Sequence, residues 1–255
     1  MTQSAAPHEF AIEASGLTKR FGNRVILDGL DLAVPKGKNF VIMGLSGTGK
    51  SVTLKILAGL LAPDAGTAHM GGIDVTHASR SDLSRVRSKL GFLFQGAALI
   101  KWLTNAENVA LPLVEAGMPE AEATKRALAH LAEVGLGEAA NRLPDELSGG
   151  ERKRVGFARA TIHSPEIILY DEPTTGLDPI TKRTIDELIV RGRDKMGATG
   201  VIVSHDLRSA VRVADFMGLL YKGRLVVTGT PEEFLASDHE IVRKFVQDGA
   251  SVIRR

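Results

Sequence analysis

The sequence contains no cysteine, one tryptophan and two tyrosines among its 255 residues. Without cysteine, disulfides and thiolate metal sites are excluded, which fits a reducing compartment. No apolar run approaches the roughly 18 to 20 residues that a membrane-spanning helix needs. The most apolar stretches, such as Val109–Val114, are short. Met1–Glu9 lacks the positive start and apolar centre of a secretory signal. We therefore expect a cytoplasmic chain that serves any membrane process from the membrane's edge.

The charge balance is also close to neutral. A net charge of +2 gives no case for nucleic acid or an anionic membrane surface as a partner. The hydrophobic content of 44% and charged content of 24% are ordinary for a soluble globular protein, and the length allows a substantial core.

Several apolar runs are typical of strands in an α/β domain. Phe10–Ser15 and Leu30–Val34 alternate apolar and polar residues, as half-buried strands do. Asn39–Met43 is a short apolar run closed by a glycine-rich loop, and a helical stretch follows from Lys50 to about Gly59. Compact runs of buried-strand length recur at Leu90–Phe94, Ile167–Tyr170 and Gly200–Val203. Such runs, separated by helical segments, predict a largely parallel sheet covered on both faces.

The middle of the chain has a different character. Glu120–Val134 is alanine-rich and amphipathic, with Ala123, Ala127, Leu128 and Leu131 at helical spacing. We interpret residues 96–157 as a helical insert between two parts of the sheet domain.

The loop after Asn39–Met43 matches the phosphate-binding pattern G-x-x-x-x-G-K-[ST]. Its glycines let the backbone curl so that successive N–H groups point at phosphate oxygens, and the following helix adds its positive dipole end. The pattern predicts that Lys50 reaches the β and γ phosphates and that the Ser51 hydroxyl ligates Mg²⁺. A glycine-rich turn with an incidental lysine is the alternative. The predicted nucleotide contacts here are Gly44, Leu45, Ser46, Gly47, Thr48, Gly49, Lys50, Ser51 and Val52.

An acidic pair follows the buried run Ile167–Tyr170. A carboxylate at the end of such a strand can hold Mg²⁺, and Asp171 is the expected metal-side group. Glu172 can polarise the water that attacks the γ phosphate. Alone, Asp-Glu after a strand is commonly structural; beside the upstream loop, the catalytic interpretation is favoured.

Leu147–Glu151 has the sequence LSGGE and resembles the signature motif of the ABC (ATP-binding cassette) ATPases. The backbone N–H groups of a serine and two glycines that lead into a helix starting near Glu151 can bind an anion. The alternative is a plain helix cap, because serine and glycine are also favoured at helix starts. The resemblance implies that two subunits sandwich two ATP molecules, so that Ser148, Gly149, Gly150 and Glu151 contact the nucleotide of the opposite subunit. Most members have glutamine where this sequence has Glu151.

Other family elements occur in the expected order. Phe21 sits where an aromatic residue stacks on adenine, and Gln95 matches the glutamine that touches Mg²⁺ and couples the site to a membrane partner. Asp178 lies in a segment that resembles the loop between subunits, and Asp178-Pro179 is also a possible helix start. His205 resembles the switch histidine at the γ phosphate. The resemblance thus makes Lys50, Glu172 and His205 catalytic and assigns Ser51, Gln95 and Asp171 to the metal.

Residues outside the motor motifs resemble the Mla/Mce-associated ATPases of lipid trafficking. They include Phe94–Leu99, Glu107–Pro112, Asp178–Thr181, Leu220–Gly223 and Ser237–Phe245. Ile100-Lys101-Trp102 departs from the usual pattern, and Trp102 is interpreted either as a partner anchor or as a buried residue. Ile241, Val242, Phe245 and Val246 form an apolar helical stripe that we expect to dock on its own domain.

The resemblance covers roughly Phe10–Leu235 and implies an α/β fold, a RecA-like P-loop NTPase core with an antiparallel β edge and an inserted α-helical subdomain. We expect residues 1–95 and 158–235 to form the core, residues 96–157 the helical subdomain, and residues 236–255 a short C-terminal helical tail.

By the same resemblance, the chain is an ATPase with ATP and Mg²⁺ as cofactors that powers a separate membrane permease as a homodimer. The implied cargo is phospholipid or another hydrophobic envelope molecule, with a lipid-binding Mce-type component as a further partner, and the expected location is the cytoplasmic face of the bacterial inner membrane. An amino-acid or lipoprotein ABC system, or a non-transport ATPase such as an iron–sulfur assembly scaffold, stays open as an alternative.

Overall fold

The computed structural model describes residues 9–251, with side chains through Gln247. Residues 1–8 of the predicted core and 252–255 of the predicted tail lie outside this range. The strands are β1 (Phe10–Phe21), β2 (Arg24–Pro35), β3 (Asn39–Met43), β4 (Ala65–Met70), β5 (Ile73–Asp74), β6 (Leu90–Leu93), β7 (Ile167–Asp171), β8 (Thr199–Ser204), β9 (Phe216–Tyr221) and β10 (Arg224–Gly229). The α-helices are α1 (Lys50–Leu57), α2 (Arg80–Arg87), α3 (Asn105–Glu115), α4 (Glu120–Glu133), α5 (Gly149–Thr161), α6 (Pro179–Met196), α7 (Leu207–Val213), α8 (Pro231–Leu235) and α9 (Glu240–Ser251).

A six-stranded sheet forms the centre of the molecule, in the order β10-β9-β3-β8-β7-β6. The pairs β9-β3, β3-β8, β8-β7 and β7-β6 are parallel, and only β10 runs antiparallel at the edge. Successive side chains of β3 enter opposite cores, Phe40 and Ile42 on one face and Val41 and Met43 on the other. The prediction of a largely parallel sheet covered on both faces is confirmed.

A second, four-stranded sheet covers one face together with α1, in the order β2-β1-β4-β5. Its pairs are antiparallel, as the implied antiparallel edge requires. The expected strands Phe10–Ser15 and Leu30–Val34 are only parts of β1 and β2. The pairing register shifts between Ala14 and Leu17, around Gly16 with φ +63°, so the apolar alternation stops there although the strand continues.

The helices α3, α4 and α5 lie between β6 and β7 in the chain and pack on the other face of the central sheet. Val109, Ala127, Leu131 and Val155 are fully buried in the core they share with β7. The predicted helix Glu120–Val134 is α4, but Leu128, expected on its apolar stripe, is exposed. α5 continues to Thr161, beyond the predicted end of the insert at residue 157.

The C-terminal helix α9 lies against its own domain, as expected from its apolar stripe. Val242 is fully buried, and Ile241, Phe245 and Val246 pack beside it on the same core. Among residues 9–251, no helix is both long and apolar enough to cross a membrane.

Candidate active site

The predicted site residues gather at the carboxyl ends of parallel strands. The loop 44–49 follows β3, Glu172 follows β7, and His205 follows β8. Because parallel strands end at one edge of the sheet, ligands of such folds bind there. A cleft of about 400 Å³ opens at this edge, lined by Phe21, Arg24, Ile26, Ser46, Gly47, Gly49, Lys50, Ser51, Val52, Gln95 and Glu172.

The glycine-rich loop has the curled backbone that its motif predicts. Gly47 has a φ of +78° and Gly49 a φ of +108°, a region that side chains rarely adopt. A Cβ atom on Gly49 would lie 3.0 Å from the side chains of Ile26 and Leu27. No side chain caps the N-terminus of α1, so its first N–H groups are available to an anion. The loop therefore fits a phosphate chain.

Lys50 lies at the bottom of the cleft and is buried. Its ammonium donates to the carbonyls of Gly44, at 2.8 Å, and Leu45, at 3.1 Å, and pairs with Glu172 Oε1 at 3.1 Å. The charge is thus held where negative phosphate oxygens would enter.

Ser51 donates a hydrogen bond of 2.7 Å to Asp171 Oδ1 across the two motifs. Burial raises the pKa of Asp171, and the neighbouring Glu172 charge acts in the same direction, while the Ser51 hydrogen bond opposes them. The described residues contain no cage of three His, Asp or Glu side chains for a metal. Mg²⁺ is usually held by one or two carboxylates with substrate phosphates and water, so a hydroxyl and a carboxylate fit it.

Glu172 joins Lys50 of the cleft to Thr175 and to His205, which lie at the same edge of the sheet but do not line the cleft itself. Its Oε1 atom pairs with Lys50, and its Oε2 atom lies 2.8 Å from both His205 Nδ1 and Thr175 Oγ1. The backbone at Glu172 has a φ of +48°, an uncommon conformation for a residue with a side chain, which is typical of functional positions.

Gln95 and Phe21 line the same cleft from other elements. Phe21 ends β1 and is 50% exposed, so one face of its ring is free to stack against a planar group.

Ser148–Glu151, which we expect to contact the nucleotide of the opposite subunit, are not among the described residues that line this cleft. Ser148 is the N-cap of α5 and forms a capping box with Glu151, whose pKa is lowered by the hydrogen bond from the Ser148 side chain. α5 begins at Gly149 rather than near Glu151, because this cap starts it two residues earlier. Asp178 caps α6 and accepts from the N–H groups of Ile180 and Thr181, which is the helix start anticipated for Asp178-Pro179.

Sequence reasoning missed Lys153 and Arg24. Lys153 is buried beside Asp171 and Glu172, and burial lowers its pKa to about 8 although both carboxylates oppose the shift. It shares the buried face of α5 with Gly150, Gly156 and Phe157, so helical spacing was a signal that could have found it. Arg24 lines the cleft without belonging to any motif.

Residues 27–175 match the family described as ABC transporter. The chain is 42% identical over 241 residues to the probable ribonucleotide transport ATP-binding protein mkl of Mycobacterium tuberculosis, covering 94% of this chain and 67% of that protein. It is 39% identical to the intermembrane phospholipid transport system ATP-binding protein MlaF of Haemophilus influenzae, covering 92% and 90%. The methionine import ATP-binding protein MetN of Carboxydothermus hydrogenoformans is also 39% identical, with 86% and 66% covered.

Among solved structures, the dimeric post-hydrolysis state of the ATP-binding cassette MJ0796 bound to ADP and Pi is similar. The TM-score is 0.80 at 34% identity, with 86% of this chain and 98% of that chain covered. The fold class expected from the sequence is therefore confirmed. The chain belongs to the ABC transporter family, as an ATP-binding subunit that hydrolyses ATP with Mg²⁺.

Proposed function

We propose that two copies of this chain bind two ATP molecules between them and that hydrolysis drives a separate membrane permease moving phospholipid or another hydrophobic envelope molecule. The observation that carries the motor part is the convergence of Lys50, Ser51, Asp171, Glu172 and His205 at one sheet edge. The dimeric similar structure supports the pairing. The 39% identity to MlaF over 90% of that protein supports the lipid cargo.

In this proposal, separate residues of the chain bind the phosphates, the base, the metal ion and the attacking water. The loop N–H groups and Lys50 bind the phosphates, and Phe21 stacks on the base. Ser51, Asp171 and Gln95 would hold Mg²⁺, which when bound neutralises charge on the phosphates. Glu172 orients and polarises the attacking water, and His205, 2.8 Å from it, keeps the carboxylate aimed and faces the γ phosphate.

The second copy completes each site through Ser148–Glu151, with Asp178 in the loop between the subunits. These residues lie outside their own cleft, which fits a contact in which they bring a helix N-terminus to the γ phosphate held by the second copy. The capping box leaves the N–H groups of Gly149 and Gly150 free for this contact.

The permease would dock near Gln95 at the cytoplasmic face of the membrane. A groove of about 760 Å³ lies beside it, between the core and the helical insert, lined in part by Phe94, Ala98, Ile100 and Pro112. An apolar groove of this size suits a short helix of a membrane subunit. An Mce-type lipid-binding component is a further proposed partner.

A methionine or other amino-acid system is the second candidate for the cargo. It is favoured by the MetN relative, whose identity to this chain equals that of MlaF. MlaF is matched over 90% of its length and MetN over 66%, so the lipid candidate ranks first.

The substitution Glu172→Gln tests the motor. We expect kcat to fall about 10²- to 10⁴-fold, because the amide cannot act as a base, while ATP binding persists and the closed dimer accumulates. Steady-state ATPase assays and light scattering with ATP would measure this. Glu187→Gln, the same change on an exposed part of α6, is the matched control. Near-normal turnover of the Glu172→Gln variant would remove Glu172 from its role.

Purification of the tagged chain from membranes tests the partner and the cargo. We expect a multi-spanning permease to accompany it and phospholipid to be enriched in solvent extracts of the complex, measured by mass spectrometry. Recovery with only soluble iron–sulfur proteins would exclude the transporter, and bound amino acid without enriched lipid would favour the second candidate.

A further inference from the structure

Lys153 is buried in the middle of the contact between the helical insert and the catalytic edge of the sheet. It lies on α5, the helix that begins at the signature motif, and 6% of its surface is exposed. A buried ammonium is costly unless its protons are satisfied, so the partners of this group identify what it does.

The Lys153 ammonium donates to two main-chain carbonyls of the site. One belongs to Gln95, and the other belongs to Glu172, at 3.1 Å. These two residues are far apart in the chain, and a single side chain joins them. Charge-assisted hydrogen bonds are stronger and better defined in geometry than neutral ones.

We propose that Lys153 is a positioning residue that links the signature end of α5 to the hydrolysis site by holding the carbonyls of Gln95 and Glu172. The proposal rests on the proposed function, because it takes the roles of Glu172, Gln95 and Ser148–Glu151 from it.

The contact with the Glu172 carbonyl restrains a backbone in an uncommon conformation. Glu172 has a φ of +48°, which persists only where its surroundings hold it. Its N–H donates to Val203 O at 3.0 Å, and its carbonyl accepts from Thr175 N as well as from Lys153. Losing the ammonium removes one of these restraints and leaves the carboxylate direction less defined.

The contact with the Gln95 carbonyl restrains the turn that follows Gln95. Ala97 and Ala98 both have positive φ, at 61° and 48°. Arg159, also on α5, donates to the carbonyls of Ala97, at 2.7 Å, and Ala98, at 2.8 Å. Two cations of one helix thus hold this turn, and Lys153 is the one that also reaches Glu172.

The position of Lys153 in α5 makes the link mechanical. It lies two residues beyond Glu151, roughly 3 Å along the helix axis, within the same hydrogen-bonded segment. A shift of α5 when Ser148–Glu151 engages the nucleotide of the second copy therefore moves the ammonium, and with it the carbonyls of Gln95 and Glu172.

The test compares Lys153→Met with Lys153→Arg in the full chain, with ATPase assays, titration of ATP binding and melting temperature. We expect Lys153→Met to lower kcat about 10²-fold, the effect of a misplacement near 1 Å, with an ATP Kd within about threefold of wild type. Arginine keeps the charge and the donors, so Lys153→Arg should retain clearly more of kcat than Lys153→Met.

Arg154→Met is the matched control. Arg154 also donates to two carbonyls, those of Val134 and Gly135, but both lie within the helical insert. We expect its kcat to match wild type. A loss of kcat that Arg154→Met reproduces, or that is as large in Lys153→Arg, would contradict positioning.

Two further variants keep the test decisive. If Lys153→Met does not fold, Lys153→Gln replaces it in the test. The glutamine side chain is one atom shorter and its amide cannot span both carbonyls, so we expect kcat to fall about 10-fold. A wild-type kcat for this variant would overturn the proposal. Glu172→Gln in the same assay separates the two hypotheses. If it is inactive while Lys153→Met is normal, only the role of Lys153 fails; if it is active, the proposed site itself fails.

Discussion

In the proposed function, Phe21 is the residue whose exposure bears most directly on recognition of the base. Its ring is half exposed at the end of β1, and Lys19 Nζ lies 5.7 Å from the ring centroid. Phe21 also lines the cleft, so its exposed surface faces the space that a ligand would occupy. A stacked adenine would cover it.

Phe21→Ala is expected to weaken ATP binding about 5- to 150-fold, because stacking on one base contributes about 1–3 kcal/mol. The melting temperature of the free chain should change little, since the ring packs only in part. Titration calorimetry would measure the affinity, with Phe21→Tyr as the control that keeps the ring. An unchanged Kd for Phe21→Ala would exclude the stacking role.

The site residues differ in how far the sequence reveals them. Gly44–Ser51 could be predicted because the loop geometry is encoded within one continuous segment, where spacing alone fixes the backbone. Asp171 and Glu172 required a second signal, the buried run before them. Helical spacing could have placed Lys153 on the buried face of α5, but it could not assign a role, because the partners of Lys153 depend on how α5 meets the ends of β6 and β7.

At the level of elements, α5 approaches β6 unusually closely. A Cβ atom on Gly91 would lie 2.3 Å from the Ala160 carbonyl, and one on Gly156 would lie 2.9 Å from Leu93 Cδ1. Glycine on both sides of this contact therefore sets the distance between the helical insert and the sheet. The same approach brings Lys153 within reach of Glu172.

Gly91→Ala should lower the free energy of unfolding by about 1–3 kcal/mol, because the added methyl group overpacks the contact between α5 and β6. Urea denaturation would measure the loss. Gly137→Ala is the control, since a Cβ atom there meets Ala132 Cβ at an ordinary 3.5 Å. Equal stability of the two variants would mean that the contact relaxes without cost.

Buried elements could be predicted better than half-buried ones. The predicted bounds Asn39–Met43 match β3, since this strand is buried on both faces and its residues after Asn39 are all apolar. The sequence analysis treats Val109–Val114 only as a short apolar run, yet it belongs to α3. Pro112 lies inside that helix, and the capping box of Thr104 and Glu107 marks its start. The tertiary contacts of α3 outweigh the missing N–H group of Pro112.

On the scale of the whole molecule, the two faces of the central sheet have separate tasks. One face packs against α1 and the antiparallel sheet, which together position the loop and Phe21. The other packs against the helical insert, which carries the signature motif and borders the groove beside Gln95. In the proposed function, the insert would thus face both the second copy and the membrane partner, while the other face of the sheet positions Phe21.

Trp102 lies on the insert next to this groove. It is 81% exposed, so the structure supports its interpretation as a surface residue rather than a buried one. Its loop is nevertheless well held. The buried Asn108 side chain accepts from Ile100 N and donates to the carbonyls of Ile100, Leu103 and Thr104. A rigid loop that displays a large aromatic side chain is typical of an interaction hot spot.

Trp102 is the sole tryptophan, so the fluorescence of the chain reports on this position alone. We expect acrylamide to quench it readily in the isolated chain, because the indole is exposed, and poorly in the complex with the permease, because the docked segment covers it. The emission of the permease's own tryptophans is corrected for by subtracting the spectrum of a complex carrying Trp102→Phe.

Trp102→Ala should leave the ATPase rate of the isolated chain unchanged, since Trp102 does not line the cleft, but should abolish stimulation by the permease. Equal quenching in both states, with stimulation intact, would show that docking uses another surface.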